Sequence, residues 1–289
     1  MVRLIRAPLT GRMTTTQQGL TVVTGGTGKT GRRVAERLAA RGRPVRIGSR
    51  RGSPAFDWED PSGWPAVLDG ADAAYLAYQP DIAFPGGAAA VGDFARLAVK
   101  AVVRRLVLLS GRGEPEAQVA EREVAVAGAE WAVVRASFFM QNFSEGFLVD
   151  AVRAGVLALP AGGVAEPFVD VDDLADVAVA ALTAAAAPDR VYETTGPRPL
   201  TFAEVAAELS AAAGHDVRYV PVSGPDFVAG LVAEGLPADF AAELGALFGA
   251  VLDGRNSSVA GGVAEALGRP PRDFAGYARP AAESGVWAR

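Results

Sequence analysis

Leu20-Thr21-Val22-Val23-Thr24 is a short, mostly β-branched run that leads into two glycines, and from Lys29 to Arg41 the apolar Val34, Leu38 and Ala39 recur among arginines. A pleated run followed by a helical stripe predicts strand, turn and helix. The rhythm then repeats, with strands predicted at Pro44 to Ser49, Asp72 to Ala77, Arg105 to Ser110 and Trp131 to Arg135, and helices near residues 87–102 and 115–127. Leu106-Val107-Leu108-Leu109 is apolar at every position, so its strand has no polar face to give to water. Such strands, separated by helices of about a dozen residues, predict a parallel sheet covered on both sides. Right-handed crossovers make it a Rossmann-type, doubly wound α/β fold.

After residue 136 the pattern changes to an aromatic-rich segment, Ser137 to Phe147, then glycines and prolines at 155–167, then helices with short strands between them. This predicts a smaller, mostly helical C-terminal substrate lobe, contributed mainly by residues of about 137–167 and 196–289. Phe168 to Val171 and Val191 to Thr194 are read as further strands of the main sheet, and Ala178 to Ala187 as a helix because alanine favours that state most. Residues 19–289 then form one nucleotide-binding domain with its lobe, preceded by a flexible tail, 1–18.

Composition narrows the chemistry. Half of the 289 residues are hydrophobic, enough for a large core, and 28 Lys plus Arg against 33 Asp plus Glu leave a net charge of -5. That balance argues against nucleic acid or an anionic membrane as partner and favours a small hydrophobic molecule. No apolar run reaches the roughly 18–20 residues of a membrane span, and a cytoplasmic protein, monomer or homodimer, is expected. Cysteine is absent and His215, in a turn, is the one histidine, which removes thiolate chemistry and histidine metal clusters together. Asp170, Asp172 and Asp173 are read as the cap and dipole partners of a helix, with no metal.

The most informative stretch is Thr24-Gly25-Gly26-Thr27-Gly28-Lys29-Thr30-Gly31. It satisfies G-x-G-x-x-G between a predicted strand and a predicted helix, where main-chain amides and the positive helix end can cradle a pyrophosphate. Gly28-Lys29-Thr30 also imitates the end of a Walker A loop, but that motif needs glycine where Val23 stands. NAD enzymes place an acidic residue about 20 positions beyond the glycines. Here the second strand ends Gly48-Ser49-Arg50-Arg51, with no carboxylate to repel a 2′-phosphate and with Arg50 able to grip one in bidentate fashion. NADP(H) is therefore expected over NAD(H), with Ser49, Arg51 and Lys29 as helpers and Asp57-Trp58 against the adenine.

Ligands of open α/β sheets bind beyond the carboxyl ends of the strands. Tyr78-Gln79, Ser110-Gly111 and Ser137-Phe138 stand at three such ends and become cofactor candidates. Tyr78 reads equally as a proton donor and as a packed strand-end tyrosine, and Ser110 as a site or cap residue. Phe139, Met140, Asn142 and Phe168 are the substrate candidates. Phe227, Phe240, Leu244, Leu247 and Phe248 would cap an apolar pocket or form a dimer surface. Glu114, Glu116 and Glu121 would serve as acid or base if buried, but are read as solvated helix faces.

With the glycine turn, Arg50, Phe56-Asp57-Trp58, Leu109-Ser110-Gly111, the stretch Arg135 to Phe143 and Pro167-Phe168-Val169-Asp170-Val171-Asp172-Asp173 in hand, the chain resembles the atypical short-chain dehydrogenase/reductase superfamily. Within it the likeness is to the NmrA-like group, which includes festuclavine and agroclavine dehydrogenases and triphenylmethane reductase, and it runs from about residue 20 to Trp287. The resemblance implies NADP(H) at the strand ends, substrate beneath the C-terminal lobe, and Ser110 in the place of the superfamily's serine. It also exposes a departure: no tyrosine or lysine lies between Gly111 and Arg135, where Tyr-x-x-x-Lys is expected. Hydride transfer survives that loss because the cofactor carries it. The expected activity is NADPH-dependent reduction of a hydrophobic secondary metabolite with an iminium, quinone, enone or similar conjugated group, the proton coming from Tyr78, Ser110 or water. The alternatives are a non-catalytic NADP(H)-binding redox sensor and a cofactor-bound isomerase or cyclase in natural-product biosynthesis.

Overall fold

The computed structural model describes residues 19–185 and 189–289. The tail read at 1–18, and Ala186 and Ala187 of the expected alanine helix, lie outside the described residues. Strand β1 (Leu20–Thr24) leads into helix α1 (Lys29–Ala40), β2 (Val45–Gly48), α2 (Trp64–Leu68), β3 (Ala71–Leu76), α3 (Gly87–Lys100), β4 (Arg105–Gly111), α4 (Pro115–Ala125) and β5 (Glu130–Ala136). Beyond them come α5 (Leu148–Ala154), β6 (Val156–Leu159), β7 (Ala165–Glu166), α6 (Val171–Thr183) and β8 (Arg190–Thr194). The chain then forms β9 (Leu200–Thr201), α7 (Phe202–Ala213), β10 (Arg218–Pro221), α8 (Gly224–Ala233), α9 (Ala238–Val251), α10 (Gly262–Leu267) and α11 (Phe274–Glu283).

Six strands pair in the order β2-β1-β3-β4-β5-β8, every pair parallel. The chain leaves β1 for β2 on one side and returns to β3 on the other, which opens a crevice at the carboxyl ends of β1 and β3. One side chain fixes those two ends together: Thr24 Oγ1 accepts the Ala77 N–H at 2.9 Å and donates to the Tyr75 carbonyl at 3.2 Å. Each face of the sheet buries its own apolar layer. Val34, Leu38, Val107, Val134 and Leu174 lie on one side and Val22, Leu76, Phe94, Leu106 and Val124 on the other.

Val191 to Thr194 joins the sheet as part of β8, whereas Phe168 to Val171 does not. That segment makes a single parallel bridge, Val169 with Phe139, and then turns into α6. The reason is local. Asp170 accepts the Asp172 N–H at 2.8 Å as an N-cap, and Gln141 holds it from both sides, donating to Asp170 Oδ1 and accepting the Val171 N–H, each at 2.8 Å. The alanine-rich helix accordingly starts at Val171 and ends at Thr183.

The lobe is built from two small sheets, β6 with β10 and β7 with β9, and from α5, α7, α8, α9 and α11. Its centre is aromatic: Phe168 stacks edge-on to Phe202 at 5.2 Å and to Phe138 at 5.5 Å, and Phe138 meets Phe248 at 5.8 Å. Trp287 closes the far side, donating its indole N–H to the Phe143 carbonyl at 2.7 Å. Helix α10 returns to pack against β8 and α6, and Asp173, 0% exposed, pairs with Arg269 at 2.7 Å and with Arg272. No helix among the described residues is long and apolar enough to cross a membrane.

Phe168, 1% exposed, is central to the lobe core. Phe168→Ala is expected to cost about 3–5 kcal/mol, read as a lower urea midpoint with an unchanged slope; full stability with weaker ligand binding would instead make Phe168 a contact residue.

Candidate functional site

The turn after β1 is shaped by its glycines. Gly25 has φ +60°, and its N–H···O partner Gly28 donates back to the Gly25 carbonyl at 2.8 Å. A Cβ on Gly31 would run into that same carbonyl oxygen, so a side chain there would push the first turn of α1 off the loop. Gly28 caps α1 without a side-chain hydrogen bond, and the first turn contains no acidic residue. The result is a twelve-residue helix whose amino end presents main-chain donors to the crevice, an arrangement that suits a phosphate group. Gly25, Thr27, Gly28, Lys29 and Thr30 border the crevice. Gly26 lies behind the wall, where an added Cβ would meet Ile47, and Gly31 serves packing.

Two cavities adjoin here and share Gly25, Gln79 and Pro80. The outer one, about 460 Å³, is bordered by Thr27, Ser49, Arg50, Asp57 and Trp58. Arg50 is exposed on its rim. Trp58 forms its floor, packed edge-on to Phe56 at 5.0 Å and donating its indole N–H to the Ala77 carbonyl at 3.0 Å. Arg51 does not border this cavity, and neither does Lys29. The lysine turns inward, where Nζ donates to Asn142 Oδ1 at 2.6 Å, and burial lowers its pKa. Of the three expected phosphate helpers, Ser49 borders the outer cavity, Lys29 borders the inner one, and Arg51 borders neither.

The inner cavity, about 450 Å³, is walled by Phe138, Phe139 and Phe147 and roofed by Leu244, Leu247 and Phe248 of α9. Of the expected lid residues, Phe240 packs on Phe84 at 5.8 Å and Phe227 is buried against Phe248 at 5.2 Å. Asn142 and Phe139 reach the cavity. Met140 and Phe168 do not: both are 1% exposed and belong to the core beneath Phe138, because the bridge at Phe139 and Val169 turns their side chains away.

Tyr78, Ser110 and Ser137 all border the inner cavity. Burial, and next the charge of Glu59, raises the Tyr78 phenol above its ordinary value. Ser110 is committed elsewhere: its hydroxyl donates to Glu121 Oε1 at 2.6 Å, and Arg135 donates to the same carboxylate at 2.5 and 2.9 Å. Glu121 is therefore a buried ion-pair partner and not a solvated helix residue; Glu116 is exposed.

Three carboxyl groups line the inner cavity: Asp81, Glu114 and Glu166. Glu166, 2% exposed, accepts from Ser137 Oγ at 3.3 Å through one oxygen, while the other oxygen has no partner. Burial pushes its pKa up to about 7, against the opposing effects of the Ser137 hydrogen bond and the Arg112 charge. Glu114 Oε2 likewise has no partner, and burial followed by the charge of Asp81 pushes its pKa up to about 8. Burial raises Asp81 too, although the Ala83 N–H donates to it at 2.9 Å. Glu114 overturns the expectation of a solvated helix face. Glu166 and Asp81 were not legible as site residues; the one trace was a lone acid, Glu166, in an apolar stretch before Pro167.

No family model matches the chain. It is 32% identical to the Bacillus subtilis oxidoreductase YesF, over 94% of this chain and 97% of that one. It is 31% identical to agroclavine dehydrogenase of Claviceps fusiformis, over 89% and 95%. Among solved structures it is similar to Citrobacter sp. triphenylmethane reductase complexed with NADP(H), with a TM-score of 0.71 and 21% identity over 92% of this chain and 99% of that one.

The buried Glu166 carboxyl has a measurable effect on folding. Its folded pKa of about 7 exceeds the ordinary 4.5, so the folded protein keeps a proton that the unfolded chain releases as pH rises between those values, and stability falls across that window. Glu166→Gln removes the loss: its melting point should exceed that of the parent by about 5–10 °C above pH 7 and match it below pH 4.5. Melting curves that differ by the same amount at both ends would assign Glu166 no raised pKa.

Proposed function

From the premise that the chain belongs to the NmrA-like group of atypical short-chain dehydrogenases/reductases, a family of NAD(P)H-dependent oxidoreductases, we propose that it is an NADPH-dependent reductase of a hydrophobic, conjugated secondary metabolite. The observation that carries this reading is the junction at Gly25, Gln79 and Pro80, where a polar cavity beside the α1 amino end opens into an aromatic one. A dinucleotide is long, polar at one end and flat at its nicotinamide end, and the two chambers match that division. Gly25, Thr27, Gly28 and Thr30 would hold the pyrophosphate, with no acidic side chain in the helix's first turn to oppose it. Ser49 and Arg50 would take the 2′-phosphate, Asp57 and Trp58 the adenosine, and Tyr78, Gln79, Ser137 and Phe138 the nicotinamide end.

When bound, the cofactor supplies the hydride. The chain's own residues supply place and surroundings. Phe139, Phe147 and the α9 side chains would offer flat apolar faces to a conjugated acceptor. Asn142 engages the Lys29 ammonium on the chamber side of α1. Gly111 to Arg135 contains no tyrosine and no lysine, so on this reading the reaction proceeds without a Tyr-x-x-x-Lys relay and favours a quinone, an enone or an iminium over an unactivated ketone.

Purified protein is expected to oxidise NADPH, followed by its near-ultraviolet absorbance, with at least one member of a panel of menadione, a cyclic imine and an enone. Tight binding without oxidation across the panel would shift the assignment to a non-catalytic NADP(H)-binding regulator or a cofactor-bound isomerase. Arg50→Glu should weaken NADPH binding by roughly 10- to 100-fold and NADH binding far less, by calorimetry; equal losses would show that Arg50 does not read the phosphate.

A further inference from the structure

Glu114 stands immediately before Pro115, the first residue of α4, in the N-cap position, yet its side chain makes no capping hydrogen bond. It folds the other way, back over Gly111. A Cβ on Gly111 would coincide with the Glu114 carboxyl group, so the strand end has to be glycine for the acid to lie there. In that position the carboxyl borders the inner cavity beside Ser110, and its Oε2 is enclosed without a partner.

We propose that Glu114 is the proton donor of the reduction. This rests on the reductase reading above. As the electrophilic end of the acceptor gains the hydride, the Glu114 O–H bond breaks and a new bond to hydrogen forms at the other end, the oxygen of a quinone or enone or the carbon or nitrogen of a conjugated system. The acceptor is reduced by two electrons, the dihydronicotinamide is oxidised, and Glu114 is left as a carboxylate. The other candidates serve less well: the Ser110 proton is engaged by Glu121, and the Tyr78 phenol is raised above its already high ordinary value.

The surroundings keep the donor protonated and recharge it. Burial first, then the charges of Asp81, from the loop after β3, and of Glu116 and Glu121, from α4, disfavour a charge on it and hold its pKa at about 8. The cations nearby are occupied. Arg112 donates to the Asn256 and Ser258 carbonyls, Arg255 pairs with Asp253, and Arg96 pairs with Glu123. A separate groove of about 830 Å³ between α3, α4 and α9 shares Glu114 and Leu247 with the inner cavity, so protons can return to the carboxylate from outside without passing the acceptor. Glu243 of α9 borders the same groove.

Two measurements test this. In cofactor-free protein at neutral pH, the infrared carbonyl stretch of a protonated carboxyl should be present and should lose one component in Glu114→Gln; no difference between the two proteins overturns the proposal without any turnover being measured. With menadione or the enone as acceptor, the kcat of the parent should fall as pH rises through about 8. Glu114→Gln should lower kcat by about 100-fold, abolish that limb and leave NADPH affinity unchanged, and Glu114→Asp should restore part of the rate. An unaltered rate and pH profile in Glu114→Gln would overturn the role of Glu114 alone, whereas failure of the parent to oxidise NADPH with any acceptor would overturn the reductase reading with it.

Discussion

Helix α1 rests directly on the carbonyl of Gly25 because Gly31 has no side chain to hold it away, and the layout of the site follows from that contact. It sets the helix axis toward the crevice between β1 and β3, so that the unpaired amides of the first turn meet at one point. Thr24 then ties that point to the end of β3 through its hydrogen bonds to Tyr75 and Ala77. From there the chain runs straight into Tyr78 and Asp81, which border the inner chamber, and Gln79, which borders both. A local close approach of two backbone segments thus determines where side chains more than fifty positions apart converge.

Ion pairs join α1 to α6 and to the lobe. Arg37 pairs with Asp172 at 2.5 Å and Asp176 at 2.7 Å, Arg33 with Glu145 at 2.6 Å, and Arg269 with Asp173 and Asp176. Asp173 is fully enclosed, and a carboxylate without water is tolerable only when its oxygens are matched by donors. Arg272 supplies them twice over, from its main-chain N–H at 2.7 Å and from its guanidinium. The acidic run that a sequence presents as a cap or a metal cluster is thus a cap at Asp170 and a clamp at Asp173, and no group of three or more potential ligands among the described residues is arranged to hold a metal.

The parallel sheet and the glycine turn were legible because both are local: β-branched runs, helical stripes and a spacing motif record themselves in contiguous residues. Most element boundaries moved by a residue or two, the alanine-rich helix began seven residues before the expected Ala178, and Phe168 to Val171 did not form a strand of the main sheet, since its fate depends on Gln141, far away in sequence. Tyr78, Ser110 and Ser137, picked out because they stand at strand ends, all border the inner cavity. The site was not legible where orientation decides. Phe138 and Phe139 face the chamber while Met140 next to them is core, and a row of neighbouring apolar residues does not say which face each will take. Asp81 and Glu166 were omitted, and Glu114 was weighed but read as solvated. An acid beside proline reads as a solvated helix start, and only a folded backbone shows that Gly111 leaves room for it to turn inward.

The groove that meets the chamber at Glu114 and Leu247 gives the protein two doors with different thresholds. A hydron can pass through a carboxyl group by exchanging one O–H bond for another, while a bulk water molecule cannot. Under the role proposed for Glu114, its carboxyl can then be reloaded from the groove side while the acceptor keeps its place on the chamber side.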